Sequence, residues 1–241
     1  MTDLTSDTFF KGRISIKQPA SGYRFSIDAV ILGNLAEVNE GDRVLDIGTG
    51  CGVIPIILRC RQPGLGHVFG AEIQQELAQA ASQNAADNLM NDHITILHKD
   101  IRSITPKDTS GRVDAVVCNP PHFAEKTGRI NPDSQRAMAR HEIAMTLSDL
   151  ASAASRMLPA GGKLATIYPC ERVADLITVM RNYGIEPKKL RMIHPCPETS
   201  AMRVLAHCIK SKPTGMNIDP PLYIRSSAGD YSAETSAMFS P

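Results

Sequence analysis

Three carboxylates fall at equivalent places along the chain. Asp46 follows Arg43-Val44-Leu45, Glu72 closes His67-Val68-Phe69-Gly70-Ala71, and Asp100 comes shortly after Ile94 to Leu97. Each short apolar run reads as a buried strand. The acids therefore collect along the carboxyl edge of one sheet, where α/β folds bind their ligands. An edge lined with acids disfavours phosphate and suits a ligand that offers hydroxyls and positive charge. Glu72, about twenty residues beyond Gly52, can accept hydrogen bonds from both hydroxyls of a ribose. Asp100 can accept from an adenine amino group. Asp46 would face the amino-acid end of such a ligand through water. S-adenosylmethionine carries a ribose, an adenine, a sulfonium and an ammonium, and is the cofactor expected on this reading.

The acids are organised around Asp46-Ile47-Gly48-Thr49-Gly50-Cys51-Gly52. Val53 to Leu58 follows as the apolar opening of a helix, so the glycines mark a strand-to-helix turn. Glycine tolerates backbone angles that a Cβ would block, and lets a ligand lie against the main chain. The spacing is G-x-G-x-G, with Val53 next. The third glycine of a dinucleotide fingerprint is displaced, which argues against a nicotinamide oxidoreductase.

A second constellation is Asn119-Pro120-Pro121-His122-Phe123, directly after the apolar run Val113 to Cys118. Two prolines fix two φ angles and remove two amide donors. Carbonyls, together with the Asn119 amide oxygen, are left to face a pocket. Two acceptors aimed at one point suit a substrate –NH2 group. An aryl amine is a poor nucleophile because its lone pair is delocalised into the ring. Accepting its two protons returns density to nitrogen and orients the lone pair, a gain of positioning and electrostatics. A planar side chain just after the prolines can stack on a base.

The elements that must hold these residues alternate along the chain. Residues 74–88 read as a helix. Thr146-Leu147-Ser148-Asp149 reads as a capping box, opening a helix with Leu147, Leu150, Ala154, Met157 and Leu158 on one stripe. Lys163 to Tyr168 is a strand, residues 171–183 a helix, and Gly184 its C′ residue. Leu190 to His194 and Arg203 to Ile209 are joined by a link too short for a parallel crossover, so they should be antiparallel. Ahead of the glycine turn, Arg13 to Gln18 alternates as a strand does. Gly22 to Phe25 suggests a turn and second strand, and Ser26 a helix N-cap. This segment reads either as a plain lid on the sheet or as a closure of Tyr23 to Asp28 over the cofactor. The domain division expected is 1–40 as an N-terminal cap, 41–212 as the main domain and 213–241 as a loosely packed tail.

At 241 residues, with 42% apolar and 21% charged residues, the chain fits one α/β domain with a small addition. No apolar run reaches about 18 residues, so no membrane span is expected. Met1 to Lys11 has two acids and no apolar core, unlike a signal peptide. The cysteines at 51, 60, 118, 170, 196 and 208 form no C-x-x-C pair and no metal spacing. They read as reduced thiols of a cytoplasmic protein, and no metal is expected. With a net charge of +1, a nucleic-acid partner would need a local patch.

Asp46 to Gly52 together with Asn119 to Pro121 resemble the class I, S-adenosylmethionine-dependent amino-methyltransferases with an N-P-P-[YF] motif. Gly22 to Val30, Gly52-Val53-Ile54-Pro55, Ala139-Arg140-His141-Glu142 and Leu190 to Pro195 are similar to the bacterial tRNA(Val) adenine-N(6) methyltransferase family. The similarity spans roughly residues 8–225. It implies a Rossmann-like α/β fold: a seven-stranded, mostly parallel sheet with an antiparallel last strand. It implies methyl transfer to the exocyclic amino group of an adenine in RNA, in that family a tRNA adenine beside the anticodon. The Asn-Pro-Pro motif alone is shared with protein-glutamine, rRNA and DNA methyltransferases, so the flanking matches carry the substrate. Methylation of another amide or amine, in a protein glutamine or rRNA, is the runner-up reading. A non-catalytic sensor of adenosyl ligands is a different class, and would have no use for Asn119-Pro120-Pro121.

The site expected from these readings has three parts. Asn119, Pro120, His122 and Phe123 serve catalysis. Asp46, Gly48, Thr49, Gly50, Gly52, Glu72, Ile73, Asp100, Ile101 and Asn119 hold the cofactor. Pro121, Arg136, Arg140 and His141 meet the substrate. Residues 122–142 also carry Lys126 and Arg129, and read either as an RNA-contacting lid or as a solvated loop. The sequence departs from the family at His122, where Tyr is usual, leaving His122 or Phe123 to stack on the base. Cys51 stands where Thr is common. The chain is expected to act as a monomer or weak dimer.

Overall fold

In a computed structural model, residues 4–19, 25–120 and 145–240 are described. The sheet is built from β3 (Val44–Ile47), β4 (Val68–Glu72), β5 (Ile94–His98), β6 (Ala115–Cys118), β7 (Lys163–Pro169), β8 (Ile185–His194), β9 (Arg203–Lys210) and β10 (Asn217–Tyr223). Its strand order is β10-β8-β9-β7-β6-β3-β4-β5. Strand β9 runs antiparallel to β7 and β8, and every other neighbouring pair is parallel. The antiparallel β8–β9 pair follows from the short link between them. The order reverses at β3, so β3 and β6 part at their carboxyl ends, the topological position at which such sheets bind ligands.

Successive residues of a strand face opposite sides, and the core divides accordingly. Val44, Val117, Ala165 and Ile167 pack with α1 (Ile27–Leu35) and α2 (Val53–Arg61). Leu45, Ile47, Val116, Cys118 and Leu164 pack with α4 (Leu147–Met157) and α5 (Val173–Asn182). The remaining crossover helix is α3 (Gln75–Asp87). Thr146 forms the expected capping box with Asp149: its Oγ1 accepts from Asp149 N at 3.1 Å, and the Asp149 carboxylate accepts from Thr146 N at 2.9 Å. Gly184, at φ 71°, follows the end of α5.

Several elements differ from expectation. The sheet holds eight strands where seven are expected, because β10 lies in the region read as a loose tail. That tail is packed: Leu222, Thr235 and Met238 are buried, and α6 (Ala233–Ala237) follows the strand. Pro220 and Pro221 hide β10 from a reading by pattern. Both sit where the register with β8 shifts, on the outermost strand, the place that tolerates a missing amide donor. Strand β8 starts at Ile185, five residues before Leu190. Strand β3 continues to Ile47, so Asp46 lies within the strand instead of after it.

At the N-terminus, β1 (Leu4–Phe9) and β2 (Ile14–Pro19) form an antiparallel hairpin. Only β2 is evident in the alternation of the sequence. Phe25 is irregular, and Gly22 to Arg24, the rest of the expected second strand, fall outside the described residues. Ser26 does precede α1, but its side chain makes no capping hydrogen bond.

Candidate active site

The glycine turn joins β3 to α2 with φ of 72°, 57° and 83° at Gly48, Gly50 and Gly52. All three values lie in the left-handed region that favours glycine. Gly52 is also the N-cap of α2. A Cβ there would lie 3.2 Å from the Ala81 Cβ and 3.3 Å from its Cα. Helix α3 thus packs directly on the turn, and any larger residue would push the two apart.

Glu72 ends β4 and is 5% exposed. Its Oε2 accepts from the Gly50 amide at 2.9 Å, and its Oε1 accepts from the Gln74 amide at 2.9 Å. The carboxylate therefore has a second role besides the expected one: it fixes the glycine turn against the next strand. A carboxylate offers about four acceptor positions, so it can still receive hydroxyls. Ile73, beside it, is 38% exposed. That is an apolar surface at the sheet edge, suited to cover a flat ring.

Asp46 is fully buried on β3, in register with Gly70 of β4 and Val117 of β6. Neither of its oxygens has a hydrogen-bond partner. Burial pushes its carboxyl up to about 7. The nearby Thr49 hydroxyl pulls the other way without closing a hydrogen bond, and the Glu72 charge adds to the rise. Cys118 ends β6, and burial, then the Asp46 charge, holds its thiol well above the usual range.

Five buried side-chain oxygens among the described residues lack a partner. They are both of Asp46, Thr49 Oγ1, Asn119 Oδ1 and Thr166 Oγ1. Four of the five stand where β3 and β6 end, because Ile47 and Cys118 are register partners and Asn119 follows Cys118. An unsatisfied buried polar group costs about 1–3 kcal/mol. Its concentration at one place marks a site built to receive donors. The residues present fit a ligand with hydroxyls, an amine and positive charge.

Asp100 does stand at the edge, but its carboxylate is already engaged. It caps the short turn Ile101–Ser103, accepting from Arg102 N at 2.9 Å, and it grips the Arg102 guanidinium through Nε and Nη2. That guanidinium holds its carboxyl below the usual range. An adenine amino group would share the acceptor with Arg102. Ile101 is buried and packs in the core on the α4 side of the sheet. Pro120 is buried and Asn119 half-buried. Met145, not singled out by its sequence, brings its methyl within 3.9 Å of the position a Cβ on Gly48 would take. Pro121, His122, Phe123, Lys126, Arg129, Arg136, Arg140 and His141 lie outside the described residues. Among the described residues, no group of three or more His, Cys, Asp or Glu is placed to hold a metal ion, and no helix is long and apolar enough to cross a membrane.

A doubly wound sheet in this order, with a glycine turn after β3 and an acid at the end of β4, defines a class I methyltransferase. The chain belongs to the methyltransferase small domain family, which matches residues 27–172, and within it to the bacterial tRNA(Val) adenine-N(6) methyltransferases. It is 33% identical to the tRNA1(Val) (adenine(37)-N6)-methyltransferase of Porphyromonas gingivalis, over 96% of this chain and 92% of that protein. Among solved structures, a predicted O-methyltransferase from Agrobacterium tumefaciens shares the fold with a TM-score of 0.70 at 21% identity. The match covers 88% of this chain and 94% of that one. The geranyl diphosphate C-methyltransferase of Streptomyces coelicolor, solved with S-adenosyl-L-homocysteine, matches with a TM-score of 0.53 at 16% identity, over 76% and 74% of the two chains.

Proposed function

We propose that this enzyme transfers the methyl group of S-adenosylmethionine to the exocyclic amine of an adenine in tRNA, beside the anticodon. The observation that carries the reading is the cluster of partnerless acceptors, Asp46 and Thr49 next to Asn119 Oδ1, at the ends of β3 and β6. The Porphyromonas gingivalis relative, named for adenine 37 of tRNA1(Val), supports the substrate. As a tRNA enzyme it would work in the cytoplasm, as a monomer or weak dimer, without a metal.

S-adenosylmethionine supplies, when bound, a methyl group on a positively charged sulfur. Glu72 would accept from its ribose hydroxyls, Asp46 would face its ammonium end, and Ile73 would cover its base. Asn119 Oδ1 and the carbonyl of Pro120 would accept from the two amino protons of the adenine, orienting its lone pair. His122 or Phe123 would offset part of the cost of unstacking that base. Arg136, Arg140 and His141 would meet the RNA backbone.

Glu72→Ala is expected to weaken cofactor binding on the order of 2 kcal/mol, roughly thirtyfold. It removes the ribose acceptor and also releases the Gly50 amide. Calorimetry with S-adenosylmethionine checks this, and equal affinity in the variant would remove Glu72 from the site.

The function itself is tested by supplying methyl-labelled cofactor with bulk bacterial RNA in one reaction and bulk bacterial protein in another. Label in the RNA, recovered after digestion as N6-methyladenosine, is the expected result. Label in glutamine side chains, or in a different nucleoside, would overturn it.

A further inference from the structure

Helix α3 holds two asparagines a turn apart, and neither belongs to the ligand-facing edge. Asn84 is fully buried. Its Oδ1 accepts from the Lys17 amide at 2.9 Å, and its Nδ2 donates to the Lys17 carbonyl at 2.8 Å. Asn88, at the C-cap of α3, repeats the pattern on Ser15: it accepts from the amide at 3.0 Å and donates to the carbonyl at 2.8 Å. The spacings explain the fit. Four residues of helix rise about 6 Å, and two residues of strand span about 6.6 Å. The two carboxamides thus stand in for a neighbouring strand along β2 and zip the N-terminal hairpin onto α3.

Asn84 does one thing that Asn88 does not. Its Nδ2 also donates to the Cys51 carbonyl at 2.9 Å. Cys51 lies between Gly50, whose amide is held by Glu72, and Gly52, whose missing Cβ lets Ala81 of the same helix approach. One buried carboxamide therefore ties the hairpin backbone to the main chain of the cofactor turn. The next residue of β2 adds a further tie. Gln18 Oε1 accepts from the Phe25 amide at 3.1 Å, just ahead of α1, and Gln18 Nε2 donates to Asp7.

We infer that Asn84 is a positioning residue that couples the N-terminal hairpin to cofactor binding. The turn can settle around a ligand only in the backbone arrangement that also presents the Cys51 carbonyl to Asn84. The same side chain holds Lys17. Coupling between two sites is reciprocal, so a bound ligand must tighten the hairpin, and a loosened hairpin contact must weaken the ligand. The inference rests on the S-adenosylmethionine reading of the site.

The test combines calorimetry with amide hydrogen exchange, with and without S-adenosylmethionine. In the parent protein, ligand should slow exchange at Lys17 and Ser15 as well as at Gly50. Asn84→Asp keeps the acceptor for the Lys17 amide and deletes the donor to Cys51 and Lys17. It should raise the cofactor Kd about tenfold, leave kcat at saturation nearly unchanged, and abolish the ligand effect at Lys17. Asn88→Ala, which touches no part of the turn, should speed exchange at Ser15 and raise the Kd by clearly less than Asn84→Asp does. If the ligand binds and protects Gly50 but leaves Lys17 and Ser15 unchanged in the parent, the coupling is absent, whatever the variants do. A folded Asn84→Asp with the parent Kd would overturn it equally. No binding of S-adenosylmethionine to the parent would instead sink the cofactor reading itself.

Discussion

Asn119→Ala should lower kcat by on the order of a hundred- to a thousandfold, the scale seen when one preorganised polar group is removed from a reacting centre. The Kd of S-adenosylmethionine should stay close to the parent value. The Asn119 Oδ1 is buried, partnerless and placed one residue beyond β6. Among the described residues that oxygen has no hydrogen bond to lose, so its removal should fall on the chemical step more than on the fold. Single-turnover rates at saturating RNA, alongside calorimetry of the cofactor, separate the two quantities. A variant that methylates at near the parent rate would mean that the amino group is oriented by something else.

The second large effect is a pH dependence centred on Asp46. Its carboxyl titrates near 7 when folded and near 3.8 otherwise. Between those values the ligand-free folded protein holds a proton that the unfolded chain has released. Its stability contribution is therefore complete below about pH 4 and is lost as pH rises to about 7, by on the order of 4 kcal/mol. A cationic ligand reverses the demand, because it needs the carboxylate. Cofactor affinity should rise with pH, up to about tenfold per unit, and level off above about 7. The neighbouring Cys118 thiol stays neutral over this span and adds no charge of its own. Asp46→Asn should flatten both profiles and bind weakly throughout. Thermal unfolding and calorimetry between pH 5 and 8 check them together, and a parent affinity independent of pH would remove Asp46 from contact with the cationic end.

What the sequence made legible were features with one physical solution. Gly48, Gly50 and Gly52 all occupy left-handed backbone. Thr146 caps α4 because its hydroxyl and Asp149 satisfy each other's amides. The link Pro195 to Ser200 is too short for anything but an antiparallel pair. Asp46 and Glu72 reach the edge because the apolar runs ahead of them are strands. The features missed are those with local signals that point elsewhere. Leu4 to Phe9 is mostly polar, and becomes a strand only because Ile14 to Pro19 pairs with it. Asn217 to Tyr223 contains two prolines, acceptable only on an outermost strand, a position fixed by the rest of the sheet. Asn84 sits in a run of Ala and Gln that reads as plain helix, and its partners are 33 and 67 residues away. Asp100 follows β5 as its spacing implies, but its grip on Arg102 depends on a turn geometry that no periodicity encodes.

The packed tail sets a clock on synthesis. Phe9 and Phe239 stack with centroids 5.8 Å apart, and the Phe10 amide donates to the Phe239 carbonyl at 3.1 Å. Arg61 donates to the carbonyls of Ala237 and Met238. At roughly 5–20 residues per second, the first hairpin leaves the ribosome on the order of ten to fifty seconds before Phe239 is made. Through that interval Phe9 and Phe10 lack their last partner, and apolar surface stays open to chaperones or to other nascent chains. The hairpin is thus made well before the segment that covers it, and settles fully only once Phe239 follows.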